Sequence, residues 1–204
     1  LVDSVEEWLD DSLKTPHGID WERVDVPYDM LDGTTNNLTG LEIVNGDKKL
    51  IIVLVDDYST FNKKVVHRGI AGKIHFRLIE DGYRVVWCKK FEWETPRKRT
   101  VMQSIIMHYL GKTRNKYFAR NTVCEIVESK TLTKFFDESS FYGARGGSQA
   151  VVLKCKKTGE ILQAANFGLP YYGKNKYGER TVECIRSAGK PFSIVIGGMS
   201  KLMK

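Results

Sequence analysis

Leu50-Ile51-Ile52-Val53-Leu54-Val55 is an apolar run of strand length with no polar alternation. A strand with one solvated face alternates, whereas one without alternation is covered on both faces. The run must therefore sit inside a sheet with further layers above and below, which selects an α/β layer fold.

The flanking patterns extend this layer. Residues 41–45 precede the run and are expected to pair with residues 49–57 across Gly46-Asp47. Val5, Trp8, Leu9 and Leu13 recur at helical spacing and predict an amphipathic helix over 3–14. Residues 15–40, rich in Pro, Gly, Asn and Asp, read as loop. Ile70, Ile74 and Leu78 mark a helix over about 67–81, closed by Gly82, and 83–88 is the next buried strand. A helix over 94–110 follows, with Pro96 near its start and Gly111 after its end.

From about residue 112 the pattern becomes α+β. Strands are expected at 122–127, 150–155, 161–166, 182–186 and 192–196, with a helix at 129–137. After Gly197-Gly198 a last helix begins at about Met199. Two modules are thus expected, 1–111 and 112–204, the second truncated at its C-terminus. So short a helix leaves strands to be covered by further residues or a partner surface, a second copy in a homodimer included.

Charge narrows the partner. The net charge is +7 and the pI about 9.1, which favours an anionic partner. No apolar run approaches the roughly 18 residues of a membrane span, so nucleic acid is preferred to a membrane. Residues 1–60 carry many more acids than bases, whereas Arg84 to Arg120 carries ten bases against Glu92 and Glu94. The four cysteines, Cys88, Cys124, Cys155 and Cys184, form no CxxC pair and read as buried, reduced thiols of a cytosolic protein.

The basic residues suggest a phosphate-binding surface. Arg97-Lys98-Arg99 opens a helix, where cations oppose the dipole and gain nothing for its stability. Lys112, Arg114 and Lys116 follow that helix, with Tyr117 and Phe118 interleaved for stacking or sugar contacts. The loop 141–147, with Arg145 among its glycines, could present amides and one guanidinium to phosphate or serve only as a hairpin entry.

One stretch carries a specific resemblance. Phe167-Gly168-Leu169-Pro170, Tyr177, Glu183-Cys184-Ile185-Arg186, Lys190 and Val195-Ile196-Gly197-Gly198-Met199-Ser200-Lys201-Leu202 stand in one order. Tyr117-Phe118-Ala119-Arg120 precedes them, and Gly82-Tyr83-Arg84-Val85-Val86 with Glu92-Trp93 lies further upstream. Together they resemble the homing endonucleases of phages whose nuclease core is Vsr-like, a PD-(D/E)XK relative. The resemblance implies an α/β nuclease core followed by a small α+β, DNA-contacting module. It also implies Mg²⁺-dependent, site-specific cleavage of double-stranded DNA in the cytoplasm of a bacterial host.

The implied catalytic set is only partly present. Glu42 stands at the family's strand Asp, Val53 where a Glu is expected, and Tyr58-Ser59-Thr60 where a His-containing run is expected. Glu42 is therefore the first metal and catalytic candidate. Strand parity puts Asp57 on the face of residue 53, making it the second metal candidate, with Asp56 on the other face. Asp56-Asp57 also reads as a polar strand end opening a turn. His67 and His75, eight apart on one helix, are candidate general bases or solvated helix histidines. Glu7, with Glu6, stands where the family's N-terminal Glu would be, or is a solvated helix charge. The alternative to a nuclease is a DNA-binding protein that keeps the scaffold without catalysis. A third reading takes the C-terminal strand, Gly-Gly and helix as an acyltransferase-like cofactor loop.

Overall fold

The computed structural model describes residues 1–29, 35–56, 69–147, 149–168 and 181–204. They form two compact units of mixed helix and strand, Leu1–Arg99 with Tyr109–Gly111, and Thr100–His108 with Lys112–Lys204.

The first unit is built on a four-stranded sheet in the order β1 (Trp21–Asp29), β2 (Thr35–Asn45), β3 (Lys48–Val55), β4 (Arg84–Lys89). The first three strands are antiparallel, and β4 runs parallel to β3. A parallel step needs a crossover, and α2 (Ile70–Glu80) supplies it, following α1 (Val2–Leu9) in chain order. Leu50 to Val55 are each at most 3% exposed, so β3 is covered on both faces as its composition demands. On one face Ile51 and Val53 pack with Val26 and with Ile70, Ile74 and Leu78 of α2. The other face carries Leu41, Ile43, Leu50 and Ile52, all buried. Helix α1 meets this second face. Arg23, opposite Leu41, is paired with Glu6, and Trp21, opposite Ile43, donates to Asp10 Oδ1 at 3.1 Å.

The sequence reading goes astray at β1, which lies in the stretch expected to be loop. Val24, Val26 and Tyr28 alternate as a one-sided strand should, but Pro27 interrupts them. An edge strand tolerates proline because one row of its amides needs no partner, and β1 is an edge. The first helix also runs beyond residue 14, through a π-type turn Asp10–Lys14 and a last turn Thr15–His17, to Gly18 at φ +62°. The expected 94–110 helix is α3 (Pro96–Tyr109), preceded by a separate turn Lys90–Trp93.

The second unit contains β5 (Asn115–Phe118), β6 (Thr122–Glu128), α4 (Thr133–Ser139), β7 (Gln149–Cys155), β8 (Ile161–Gly168), β9 (Glu183–Gly189), β10 (Ser193–Ile196) and α5 (Gly198–Leu202). Strands β6 to β9 form an antiparallel meander, and β5 pairs with β10 as a parallel ribbon. One meander face packs under Leu132 and Phe136. On the other, Leu202 of α5 and Val195 of β10 pack with Leu153 and Ala165, while Ile126 remains 72% exposed. The cysteines depart from expectation. Cys88 and Cys155 are buried, but Cys124 and Cys184 are exposed, because they stand on the edge strands β6 and β9.

Candidate functional site

Glu42 sits on β2 with Ile51 opposite it on β3 and Glu22 opposite it on β1. Cross-strand partners share a face, with Cβ atoms about 5 Å apart. Glu42 is half-buried and Glu22 exposed. Tyr83, just before β4, donates its hydroxyl to Glu42 Oε1 at 2.6 Å. That bond, with burial and the charges of Glu42, Asp81 and Glu22, pushes the phenol up to about 12. The Lys49 ammonium lies 5.9 Å from the Tyr83 ring centroid.

Two carboxylates directly opposite each other repel unless a cation lies between them. Among the described residues no three or more His, Cys, Asp or Glu come together as a metal cage. Glu22 and Glu42 are two cross-strand carboxylates that could serve as ligands to an ion such as Mg²⁺, which keeps waters and takes phosphate oxygens as its other ligands. Sequence reasoning missed Glu22 because it missed β1; the alternation of Val24, Val26 and Tyr28 was the available signal.

The other catalytic candidates are not gathered here. Asp56 lies five residues beyond Ile51, roughly 16 Å along the strand from the level of Glu42. Ligands of one Mg²⁺ lie only about 4 Å apart, so Asp56 does not share an ion with Glu42. Its carboxylate is instead 3.7 Å from the Leu1 amino group. Asp57 and His67 lie outside the described residues. His75 Nδ1 accepts a long hydrogen bond from Trp87 Nε1 at 3.4 Å. Trp87 stands level with Val53 and Gly40, two residues along β2 from Glu42, and it is Trp87 that His75 contacts. Glu7 is exposed on α1, which meets the opposite sheet face. Val53, fully buried beside α2, makes the position expected to hold a Glu part of the core.

The basic candidates fall into different environments. Arg97, Lys98 and Arg99 occupy the first turn of α3 and are half-buried; Lys98 Nζ lies 5.0 Å from the Phe91 ring centroid. Lys98 thus makes a cation–π contact within its own unit. Lys112 is half-buried, while Arg114 and Lys116 are exposed. Arg145 is exposed on a loop fastened from below, since Asn166 Nδ2 donates to its carbonyl at 2.8 Å. Gly147 of that loop has no room for a side chain: a Cβ would lie 2.9 Å from the Phe167 carbonyl oxygen.

The paired aromatics Tyr117 and Phe118 point opposite ways, as strand alternation requires. Tyr117 is half-buried beside Val195, whereas Phe118 is 43% exposed with the Arg120 guanidinium 4.9 Å from its centroid. Phe192 was not anticipated. It adopts φ +56°, a conformation costing about 1–3 kcal/mol in a non-glycine residue. Its N–H donates to Ser104 Oγ at 2.7 Å, its carbonyl accepts from Asn115 N at 3.1 Å, and Arg114 lies over its ring.

The Gly197-Gly198 pair has a packing explanation. Gly197 has φ +74°, and a Cβ on Gly198 would collide with Gln163 Oε1 and lie 2.9 Å from Val195 Cβ. Comparison with known proteins finds no matching family, curated protein or solved structure. No helix among the described residues is long and apolar enough to cross a membrane.

Proposed function

We propose that this chain is a Mg²⁺-dependent endonuclease acting on double-stranded DNA, of the phage homing type with a Vsr-like core, in the cytoplasm of a bacterial host. The observation that carries the reading is the register of Glu22 with Glu42, beside a protonated tyrosine and on a sheet face of an α/β unit. The unit's order, with helix, antiparallel strands, crossover helix and parallel strand, supports the same reading. When bound, Mg²⁺ would polarise the scissile phosphate and lower the pKa of the attacking water.

The residues divide the remaining work. Glu42 and Glu22 hold the cation, and Tyr83 fixes the rotamer of Glu42 through its hydroxyl. With its phenol pushed up to about 12, Tyr83 keeps its proton at neutral pH and acts as a donor, never as a base. Arg97, Arg99, Lys112, Arg114, Lys116 and Arg145 contact phosphates, which gives affinity without sequence information.

Incubation with phage genomic DNA, in Mg²⁺ and separately in EDTA, tests the proposal. Metal-dependent ends that vanish in Glu42→Gln support it; no cleavage in either condition refutes it. One observation favours a second reading, a DNA-binding protein without catalysis: Val53 fills the implied Glu position with core. That reading expects duplex binding that is indifferent to Mg²⁺ and to Glu42.

A further inference from the structure

Phe118 and Ile196 are cross-strand partners at the end of the β5–β10 ribbon. The intervening residues Tyr117 and Val195 occupy the other side, where Val195 joins the core of Leu153 and Ala165. A period of two therefore puts Lys116, Phe118, Ile194 and Ile196 together on the outward face. Phe118 and Ile196 are 43% and 46% exposed, and Lys116 is exposed.

This apolar patch is set in positive charge, of which Lys190 is paired with Glu160. The segments 111–121 and 190–204, which supply the ribbon and its flanks, contain seven Lys and Arg and no Asp or Glu. Guanidinium groups lie on the two rings, Arg120 over Phe118 and Arg114 over Phe192. The turn that carries Arg120 is fixed in place, because the Lys201 ammonium donates to the carbonyls of Ala119 and Thr122. Ring, guanidinium and aliphatic side chain are thus presented on a preformed support.

An intact duplex shows phosphates and sugars to such a surface and keeps its base faces stacked inside. It would satisfy the cations and leave Phe118 and Ile196 unused. A strand with unpaired bases satisfies both, its phosphates meeting the cations while a base face stacks on the ring. We propose that the outward face of the β5–β10 ribbon binds an unpaired nucleotide strand, with Phe118 as the stacking residue and Arg120, Lys116 and Arg114 holding its backbone. This site belongs to the second unit and does not depend on an ion at Glu42.

Fluorescence anisotropy of the full chain in EDTA, with labelled oligothymidylate, oligouridylate and a duplex, tests it. Phe118→Leu keeps an apolar side chain without a ring, and Phe118→Tyr keeps the ring. Loss of single-strand affinity by about tenfold in the Leu variant, with near-normal affinity in the Tyr variant and unchanged duplex binding, is the expected result. Binding of oligothymidylate alone assigns the site to DNA, and of oligouridylate alone to RNA. Absence of binding to both, or equal losses for duplex and single strand, overturns the proposal. Cleavage in Mg²⁺ is a separate readout, so this inference and the nuclease reading fail independently.

Discussion

The Tyr83 hydroxyl lies 2.6 Å from Glu42 Oε1, joining the residue that precedes β4 to the middle of β2. The bond stabilises the protonated phenol, so folding and titration are linked. The ordinary phenol value is 10 and the folded value about 12, so the unfolded chain loses this proton first as pH rises. The associated stability is complete below pH 10 and declines between about pH 10 and 12. Spectrophotometric titration should show one late tyrosine that returns towards 10 in Glu42→Gln. Tyr83→Phe should cost about 1 kcal/mol in chemical denaturation. An unchanged titration in Glu42→Gln would mean that the bond does not exist in solution.

The four thiols should separate by burial. Burial, reinforced by the charge of Glu92, pushes Cys88 up to about 12, so little thiolate forms at neutral pH. Cys124 and Cys184 are exposed. A disulfide reagent at neutral pH should label these two first and reach Cys88 only on unfolding. Early labelling of Cys88, read by peptide mass, would contradict the covered face of β4.

The glycine pair before α5 offers a test of packing against cofactor binding. Gly198→Ala should lower stability by about 1–3 kcal/mol, because its Cβ meets Gln163 and Val195. An acyl-CoA loop predicts instead a melting shift with acetyl-CoA in the wild-type chain. The packing explanation predicts none.

How far such features can be read from the chain depends on the range of the interaction. Leu50–Val55 announces a doubly covered strand because composition alone encodes it. Ile70, Ile74 and Leu78 announce α2 because the helical period is local. Pro27 hid β1, since the fact that excuses a proline, an edge position, is set by the whole sheet. Glu22 disappeared with that strand, and with it the partner of Glu42. The Tyr83–Glu42 bond spans 41 positions, and the positive φ of Phe192 has no residue signature outside glycine. Both arise only from the folded arrangement of distant segments.

Removing the cations that open α3 should lower affinity for duplex without altering sequence preference. Each phosphate contact contributes a slope of about −0.9 to the dependence of log K on log salt, so Arg97→Ala with Arg99→Ala should flatten it by about two. Relative affinities among duplex sequences should stay the same. A change in sequence preference with the slope intact would make these side chains readers of bases.

Glu22 and Glu42 are proposed to hold one catalytic cation. The most direct test of this proposal is the Mg²⁺ concentration dependence of DNA cleavage by the wild-type chain and by Glu22→Gln and Glu42→Gln. The expected result is metal-dependent cleavage in the wild type, its loss in Glu42→Gln, and a raised Mg²⁺ requirement in Glu22→Gln, with duplex binding retained by all three. Cleavage by both variants at the wild-type rate and Mg²⁺ requirement would contradict it, as would a wild-type chain that binds duplex but never cuts.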